Sequence, residues 1–311
     1  MVRQGPSARL IGRQDQLGTI QAALDAARGG SGHLLLFVGE PGIGKTRLVD
    51  ETLARAGAAG MQILRARAEE LDGRRPFGAI AACLGITPNV EDGPRREIAR
   101  LLFGDRSQAE TSLGGGGSET EFRLVDAMVV LVEELCGERP LALALDDLHW
   151  ADPSTLHVLH RLGRSAAQLP ILLCGALRPA PQSPELARLL RGLAPSATTV
   201  TVPPLEPEDV TRLLSATLGT TPGPQLVRQA ATAGGNPFYI NGLVGALRAS
   251  GSLVETPTTA EIGAVALPPE LKLTVLLELS FLPTHVQEVL RTAAVLGSSF
   301  SVDDLALVLR S

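Results

Sequence analysis

A chain of 311 residues, 44% of them hydrophobic, is long enough for one large or two to three modest domains, each with its own core. A formal net charge of −5 argues against a nucleic-acid-binding surface in this stretch, and no uninterrupted apolar run approaches membrane-spanning length. Three cysteines form an odd count without C-x-x-C spacing, which argues against a disulfide framework or a zinc site, and the N-terminus lacks a basic-then-apolar signal, so a cytoplasmic protein is expected.

Apolar residues recur at helical spacing from Gln14 to Ala27, and His33 to Val38 is an apolar run of strand length. Next comes Gly39-Glu40-Pro41-Gly42-Ile43-Gly44-Lys45-Thr46, then helical spacing from Arg47 to Arg55. This is the phosphate-loop pattern G-x-x-x-x-G-K-[ST], set between a strand and a helix. Gly39, Gly42 and Gly44 let the backbone curl with its N–H groups turned toward an anion. Lys45, one of only two lysines in the chain, supplies a mobile charge for outer phosphates, and the Thr46 hydroxyl is placed to ligand Mg²⁺. The helix start adds free N–H groups and a positive dipole end. Residues Gly39 through Arg47 are thus the expected nucleotide contacts.

A strand near Gln62 to Ala66 follows, then helices around Phe77 to Leu84 and Arg95 to Phe103. Gly114 to Ser118 has the composition of a flexible surface loop. A long helix from Thr120 to Cys136 precedes the buried strand Leu141 to Leu145, which ends in Asp146-Asp147. A helix opening at Asp152-Pro153, a strand from Ile171 to Ala176, a helix near Pro184 to Arg191 and a strand around Thr198 to Val202 complete the pattern. Helices alternating with apolar strands predict an α/β fold, a P-loop NTPase with a central parallel sheet covered on both faces. After Pro203-Pro204 the strands are expected to stop. Helices are predicted over Pro207 to Leu218, Pro224 to Ala233 and Pro237 to Ala249, with three more between Pro269 and Arg310. Boundaries at about 204 and, more weakly, near 255 to 266 divide the chain into 1–204, 205–255 and 256–311.

Ligands of open α/β sheets bind at the carboxyl ends of strands, so the residues ending the later strands carry the chemistry. An apolar strand terminating in an acidic pair fits a Walker B element, with Asp146 completing a Mg²⁺ shell and Asp147 polarising an attacking water. Asp152 before Pro153 reads as a helix N-cap. Arg178, just past the strand Ile171 to Ala176, is expected at the same edge, where a fixed guanidinium could sense a γ-phosphate. His149 and Trp150 are expected to pack and orient the acidic loop. His157 and His160 share a helix face without a third metal ligand, and Gly234-Gly235-Asn236-Pro237-Phe238 reads as a turn and N-cap.

Taken together, Leu10-Ile11-Gly12-Arg13, Gly39 to Thr46, Leu143 to Asp152 with its Asp-Asp-Leu-His-Trp-Ala-Asp string, Leu177-Arg178-Pro179 and Gly235-Asn236-Pro237-Phe238 resemble the STAND class of AAA-related signal-transduction ATPases. Within it the chain is similar to the N-terminal part of the large ATP-binding regulators of the LuxR family, of the maltose-regulator type. The resemblance implies a sheet of the additional-strand type, in which the strand ending near Arg178 lies between the Walker A and Walker B strands. It implies that Ile11, Gly12 and Arg13 approach the adenine, and that Pro237 of a helical lid domain touches the base or ribose. It also implies that Leu267 to Arg310 begins a winged-helix domain that stops early, so that a fragment is expected, with the sensor region and the DNA-binding helix-turn-helix outside it. The function expected is a slowly hydrolysing ATP/ADP switch with Mg²⁺, off with ADP, and on and self-associating with ATP once an inducer binds. An AAA-type remodelling ATPase, the same module fused to a cyclase or kinase output, and a non-hydrolysing scaffold are the alternatives.

Overall fold

The apolar runs that read as strands assemble into one parallel sheet in the computed structural model, which describes residues 10–70, 75–91, 93–104, 116–179, 183–193, 197–263, 284–296 and 301–309. Two compact units divide at Glu206/Pro207. In the first, β1 (His33–Val38), β2 (Gln62–Arg67), β3 (Leu141–Asp146), β4 (Ile171–Leu177) and β5 (Ala197–Thr201) lie in the order β2-β3-β4-β1-β5. All four pairings are parallel. Strand β4 therefore sits between the strand feeding the glycine loop and the strand ending in the acidic pair, as the additional-strand arrangement requires.

Every residue of β3 and β4 is buried, because helices cover both faces and leave no solvent side for alternation. Leu35, Phe37, Ala142, Ala144, Leu172, Cys174 and Ala176 face one core layer, with Ile20 and Leu24 of α1 (Gln14–Arg28) and Leu48 and Val49 of α2 (Lys45–Ala58). Leu34, Leu36, Leu141, Leu143, Leu145 and Leu173 face the other. That second layer is filled by α3 (Gly78–Cys83), α4 (Gly93–Phe103), α5 (Gly116–Glu138), α6 (Pro153–Ser165) and α7 (Pro184–Leu193). The alanines of β3 and β4 on the α2 side let that helix approach closely, whereas the leucines opposite fill the wider space under α3 to α7. All three cysteines are free and buried, and burial pushes the Cys174 thiol pKa up.

Helix α5 starts at Gly116, four residues before the expected Thr120, so the last three residues of the glycine run belong to its first turn and are not loop. Gly114 and Gly115 lie outside the described residues.

The second unit contains α8 (Pro207–Leu218), α9 (Pro224–Ala231), α10 (Pro237–Ala249), α11 (Thr284–Leu296) and α12 (Val302–Leu309). The expectation that strands stop after Pro204 is corrected here. Strands β6 (Thr221–Pro222), β7 (Leu253–Glu255) and β8 (Thr259–Ile262) form a small sheet in the order β6-β8-β7. The threonines that read as linker composition build the hairpin turn: Thr256 N donates to Thr259 O at 2.7 Å, and Thr259 N donates back to Thr256 Oγ1 at 2.9 Å. That turn spans the 255/256 position. Glu261 then caps α9, accepting from the backbone N–H groups of Gln225 at 3.0 Å and Leu226 at 2.8 Å. Two of the three helices expected after Pro269 are described, and residues 264–283 lie outside the described set. No helix among the described residues is long and apolar enough to cross a membrane.

Candidate nucleotide-binding site

Strand β1 delivers Gly39 to the carboxyl edge of the sheet, between β4 and β5. A Cβ at Gly39 would lie 3.0 Å from both the Val202 carbonyl oxygen and Ile43 Cγ2, a tight fit that would push these neighbours back by a few tenths of an ångström. Gly42 (φ 74°) and Gly44 (φ 107°) occupy the left-handed region, where L side chains are strained. Leu48 N donates to Gly44 O at 3.1 Å and α2 begins.

Lys45 is only 6% exposed, and its Nζ donates to the carbonyls of Gly39 at 2.9 Å and Glu40 at 2.8 Å. Burial lowers its pKa; Asp147 pulls it back up and Arg178 pushes it further down. These groups therefore share one field. Arg13 is buried, and its Nη2 donates to Ile43 O at 3.1 Å, so the segment Ile11-Gly12-Arg13 ends against the glycine loop and braces it. Gly12 turns there with φ 66°. Pro41 is half-buried, whereas Glu40, Thr46 and Arg47 are exposed around the loop.

Strand β3 ends at Asp146, which is 1% exposed. Its Oδ1 accepts from Asp147 N at 3.0 Å, and the Thr46 hydroxyl hydrogen-bonds to the same carboxylate. Its Oδ2 is buried without a hydrogen-bond partner among the described residues. Burial raises the Asp146 pKa, the Thr46 bond opposes that, and the charge of Asp147 reinforces it.

Asp147 adopts φ 54° and starts the single-turn helix Leu148–Trp150, with Trp150 N donating to Asp147 O at 2.9 Å. Its Oδ2 accepts from Arg67 Nε at 2.7 Å. His149 Nδ1 lies 4.0 Å from the other oxygen. Burial pushes the His149 pKa down to about 4, so the ring is neutral at pH 7 and makes no ion pair with Asp147. Both its nitrogens are buried without partners among the described residues, and its ring lies 5.0 Å from that of Trp150. The packing expected of His149 and Trp150 is what the structure has.

Leu177 pairs with Val38 in register, so Arg178 leaves β4 beside Gly39. Its charge depresses the pKa of both Lys45 and His149. Lys45, Thr46, Asp146, Asp147 and Arg178 thus meet at one edge, drawn from three strands. Within that edge Leu148 packs on Gly175 of β4, where a Cβ would come 2.4 Å from Leu148 Cδ1.

Arg67 was not foreseen as a site residue. It ends β2, opposite Asp146 in register, and its partner lies eighty residues away. The one signal available was a cation closing a strand, meaningful only once β2 is known to flank β3.

Asp152 is a cap and more. Its Oδ1 accepts from Thr155 N at 2.9 Å and Phe77 N at 2.8 Å, and its Oδ2 accepts from Thr155 Oγ1 at 2.6 Å. Phe77, whose N–H makes one of these bonds, adopts φ 62°. In the second unit, Pro237 stands at the first position of α10, after Asn236, whose Oδ1 accepts from Phe238 N at 3.0 Å. His157 and His160 lie on α6. Among the described residues no group of three or more His, Cys, Asp or Glu could hold a metal.

A family profile for the AAA ATPase domain matches residues 9–174. Over 196 residues, 55% of this chain, the sequence is 28% identical to an uncharacterized protein of Rhizobium meliloti (strain 1021), and the match spans only 18% of that protein's length. The structure is similar to the Aeropyrum pernix ORC2 protein in its ADPNP-ADP complexes, with a TM-score of 0.55 and 14% identity, covering 97% of this chain and 80% of that one. It is also similar to the Aeropyrum pernix ORC1 protein in complex with DNA, with a TM-score of 0.53 and 17% identity, covering 98% and 78%. At these identities the likeness is one of fold. A glycine loop and an acidic strand end brought to one sheet edge, inside a match that covers more than half the chain, identify it as a member of the AAA ATPase domain family, a nucleotide-binding P-loop fold.

Proposed function

We propose that this chain is the nucleotide-switch module of a signal-responsive transcriptional regulator of the STAND class, of the LuxR-family type that its motifs resemble. ADP holds it off. ATP, admitted when an inducer binds outside the region 1–311, turns it on and drives self-association. The observation that supports this reading is the placement of Arg178 beside Lys45, on a strand inserted between those of the glycine loop and the acidic pair.

Lys45 exchanges its two loop carbonyls for outer phosphate oxygens, and Arg178 contacts the third phosphate. Swinging a switch from 1:99 to 99:1 takes about 5.5 kcal/mol of differential binding, and charge-assisted hydrogen bonds contribute about 1.5–3 kcal/mol each. Two or three contacts to the third phosphate are therefore enough. Asp147 orients and polarises the attacking water. With Oδ2 taken by Arg67, Oδ1 is left to accept the water's proton.

The unpartnered Oδ2 of Asp146 beside the Thr46 hydroxyl fits a hard divalent cation held by one carboxylate and a hydroxyl. When bound there, Mg²⁺ neutralises charge on the phosphates. Ile11, Gly12 and Arg13 are assigned to the adenine, and Pro237 to the base or ribose, which would tie the lid of residues 205–255 to nucleotide state. Residues 256–311 begin a winged-helix domain, and DNA is contacted only through a helix-turn-helix beyond it. The chain works in the cytoplasm and hydrolyses ATP slowly when isolated, because an arginine finger from a neighbour contributes about 10³–10⁵ in rate.

The fold likeness to the ORC proteins, one of them in complex with DNA, keeps an AAA-type remodelling ATPase as the second reading, although the net charge of −5 argues against direct DNA binding by this region. Mass spectrometry of nucleotide released on denaturing the purified protein separates the two. A switch retains stoichiometric ADP, and Asp147→Asn keeps ATP longer and self-associates more. Rapid turnover by a dilute monomer would sink the switch reading.

A further inference from the structure

Away from the nucleotide edge, helices α4 and α5 pack together and leave an open groove of about 480 Å³ between them. Its floor is apolar, with Ile98 and Leu131 buried. Val130 forms one wall and is 50% exposed, in the middle of a helix whose neighbouring Val129 and Val132 are buried. The rim is acidic: Glu97 from α4 and Glu134 from α5 face it, with Arg123 as the cation among the lining residues. Asp126 also lines the groove, but Arg161 of α6 offsets its charge at 3.0 Å. The exposed Glu97 and Glu134 carry no ion pair among the described residues. Arg96 and Arg100 lie on α4 outside the lining. A trough with an apolar floor, one exposed valine and two unpaired carboxylates selects its partner by charge as well as by shape.

We infer that the α4–α5 groove is a docking site for a basic amphipathic helix of a partner protein, a helix that lays an apolar stripe over Ile98, Val130 and Leu131 and sets Lys or Arg against Glu97 and Glu134. From Arg123 to Glu134 the lining spans twelve residues of α5, about 16 Å at the helical rise, which is the length of about three helical turns. Burying Val130 supplies the hydrophobic contribution, and the two carboxylates set orientation and on-rate.

The probe is a fluorescein-labelled peptide of about 14 residues, with Leu along one face and Lys and Ala on the other, compared with its Glu counterpart. Binding to the full chain is read by fluorescence anisotropy at about 50 mM salt, where surface charge is weakly screened. The Lys peptide is expected to bind about five- to tenfold more tightly than the Glu peptide, a gap that closes as salt rises. The double change Glu97→Lys with Glu134→Lys reverses the preference, and Val130→Asn weakens both peptides. Nucleotide binding stays at the wild-type level in these variants and reports that they fold. Equal binding of the two peptides, no binding of either, or an unchanged preference after charge reversal overturns the inference. Glu97→Gln with Glu134→Gln, which adds no cation, must at least abolish the preference.

Discussion

Gly175→Ala adds one methyl group where the acidic turn rests on the sheet. The new Cβ would lie 2.4 Å from Leu148 Cδ1 and 3.2 Å from Leu36 Cδ2, both side chains of the buried core. The adjoining cavity, lined by Leu34, Leu148, Leu189 and Leu193 among others, measures about 10 Å³, no more than one water requires. It cannot absorb a displaced leucine end. Overpacking of this kind costs about 1–3 kcal/mol, and because the obstructing atom ends a flexible side chain the lower half of that range is expected, about 1–2 kcal/mol. Calorimetry should register it as a fall in Tm of about 2–6 °C. Leu148 follows Asp147 directly, so its shift carries into the turn at φ 54°, and if Asp147 polarises the attacking water as proposed, moving its carboxylate by a fraction of an ångström should lower ATP turnover about tenfold or more. Nucleotide affinity, set by the glycine loop, stays near wild type. Adding Leu148→Ala to Gly175→Ala removes the clashing atom, and the pair should be more stable than the sum of the single changes by about 1 kcal/mol. If Gly175→Ala unfolds at the wild-type temperature with wild-type turnover, the packing argument is wrong.

Lys45→Ala removes one charge-assisted contact to the outer phosphates and should weaken ATP and ADP binding by about 10- to 150-fold in calorimetry. Unchanged affinity would refute the site assignment. The native state keeps His149 neutral with a pKa of about 4 against its ordinary 6.5, so between those values the unfolded chain takes up a proton that the folded protein does not. Its contribution is therefore fully present above pH 6.5 and is lost as pH falls toward 4, by on the order of 2–3 kcal/mol. In guanidinium titrations across that window, His149→Gln should flatten the slope. Arg67→Ala breaks the ion pair to Asp147, but with the arginine side chain 65% exposed the stability loss by thermal unfolding should stay below about 1 kcal/mol.

What could be read beforehand was what is local. The run His33 to Val38, the loop to Thr46 and the strand ending at Asp146 each announce themselves within ten residues, because phosphate binding needs glycines and an ammonium in fixed succession. Arg178 reads as a residue of the sheet's carboxyl edge because it directly follows an apolar strand. Sheet order is another matter. No periodicity in Ile171–Leu177 says that it lies between β1 and β3; that expectation came from resemblance. Arg67 stayed hidden because its partner is set by the β2–β3 register, and Gly175 because its reason for being glycine is the side chain of Leu148. The strands β6 to β8 escape for a simpler reason: runs of two to four residues are too short for a period to stand out, and the threonines around them mimic a linker.

Asp152 read as an ordinary helix cap, a position where Ser, Thr, Asn and Asp are nearly exchangeable. With Thr155 N, Thr155 Oγ1 and Phe77 N all on one carboxylate, Ser and Thr drop out of that exchange. A serine could still serve α6, but its single short hydroxyl cannot also hold the N–H of Phe77, a buried aromatic residue kept in a left-handed conformation. Two connections seventy-five residues apart therefore hang on one side chain and can only vary together. A swap, deletion or graft that rebuilds the approach to α3 must bring its own backbone N–H group to residue 152, or the acidic turn loses its anchor from a change made nowhere near it.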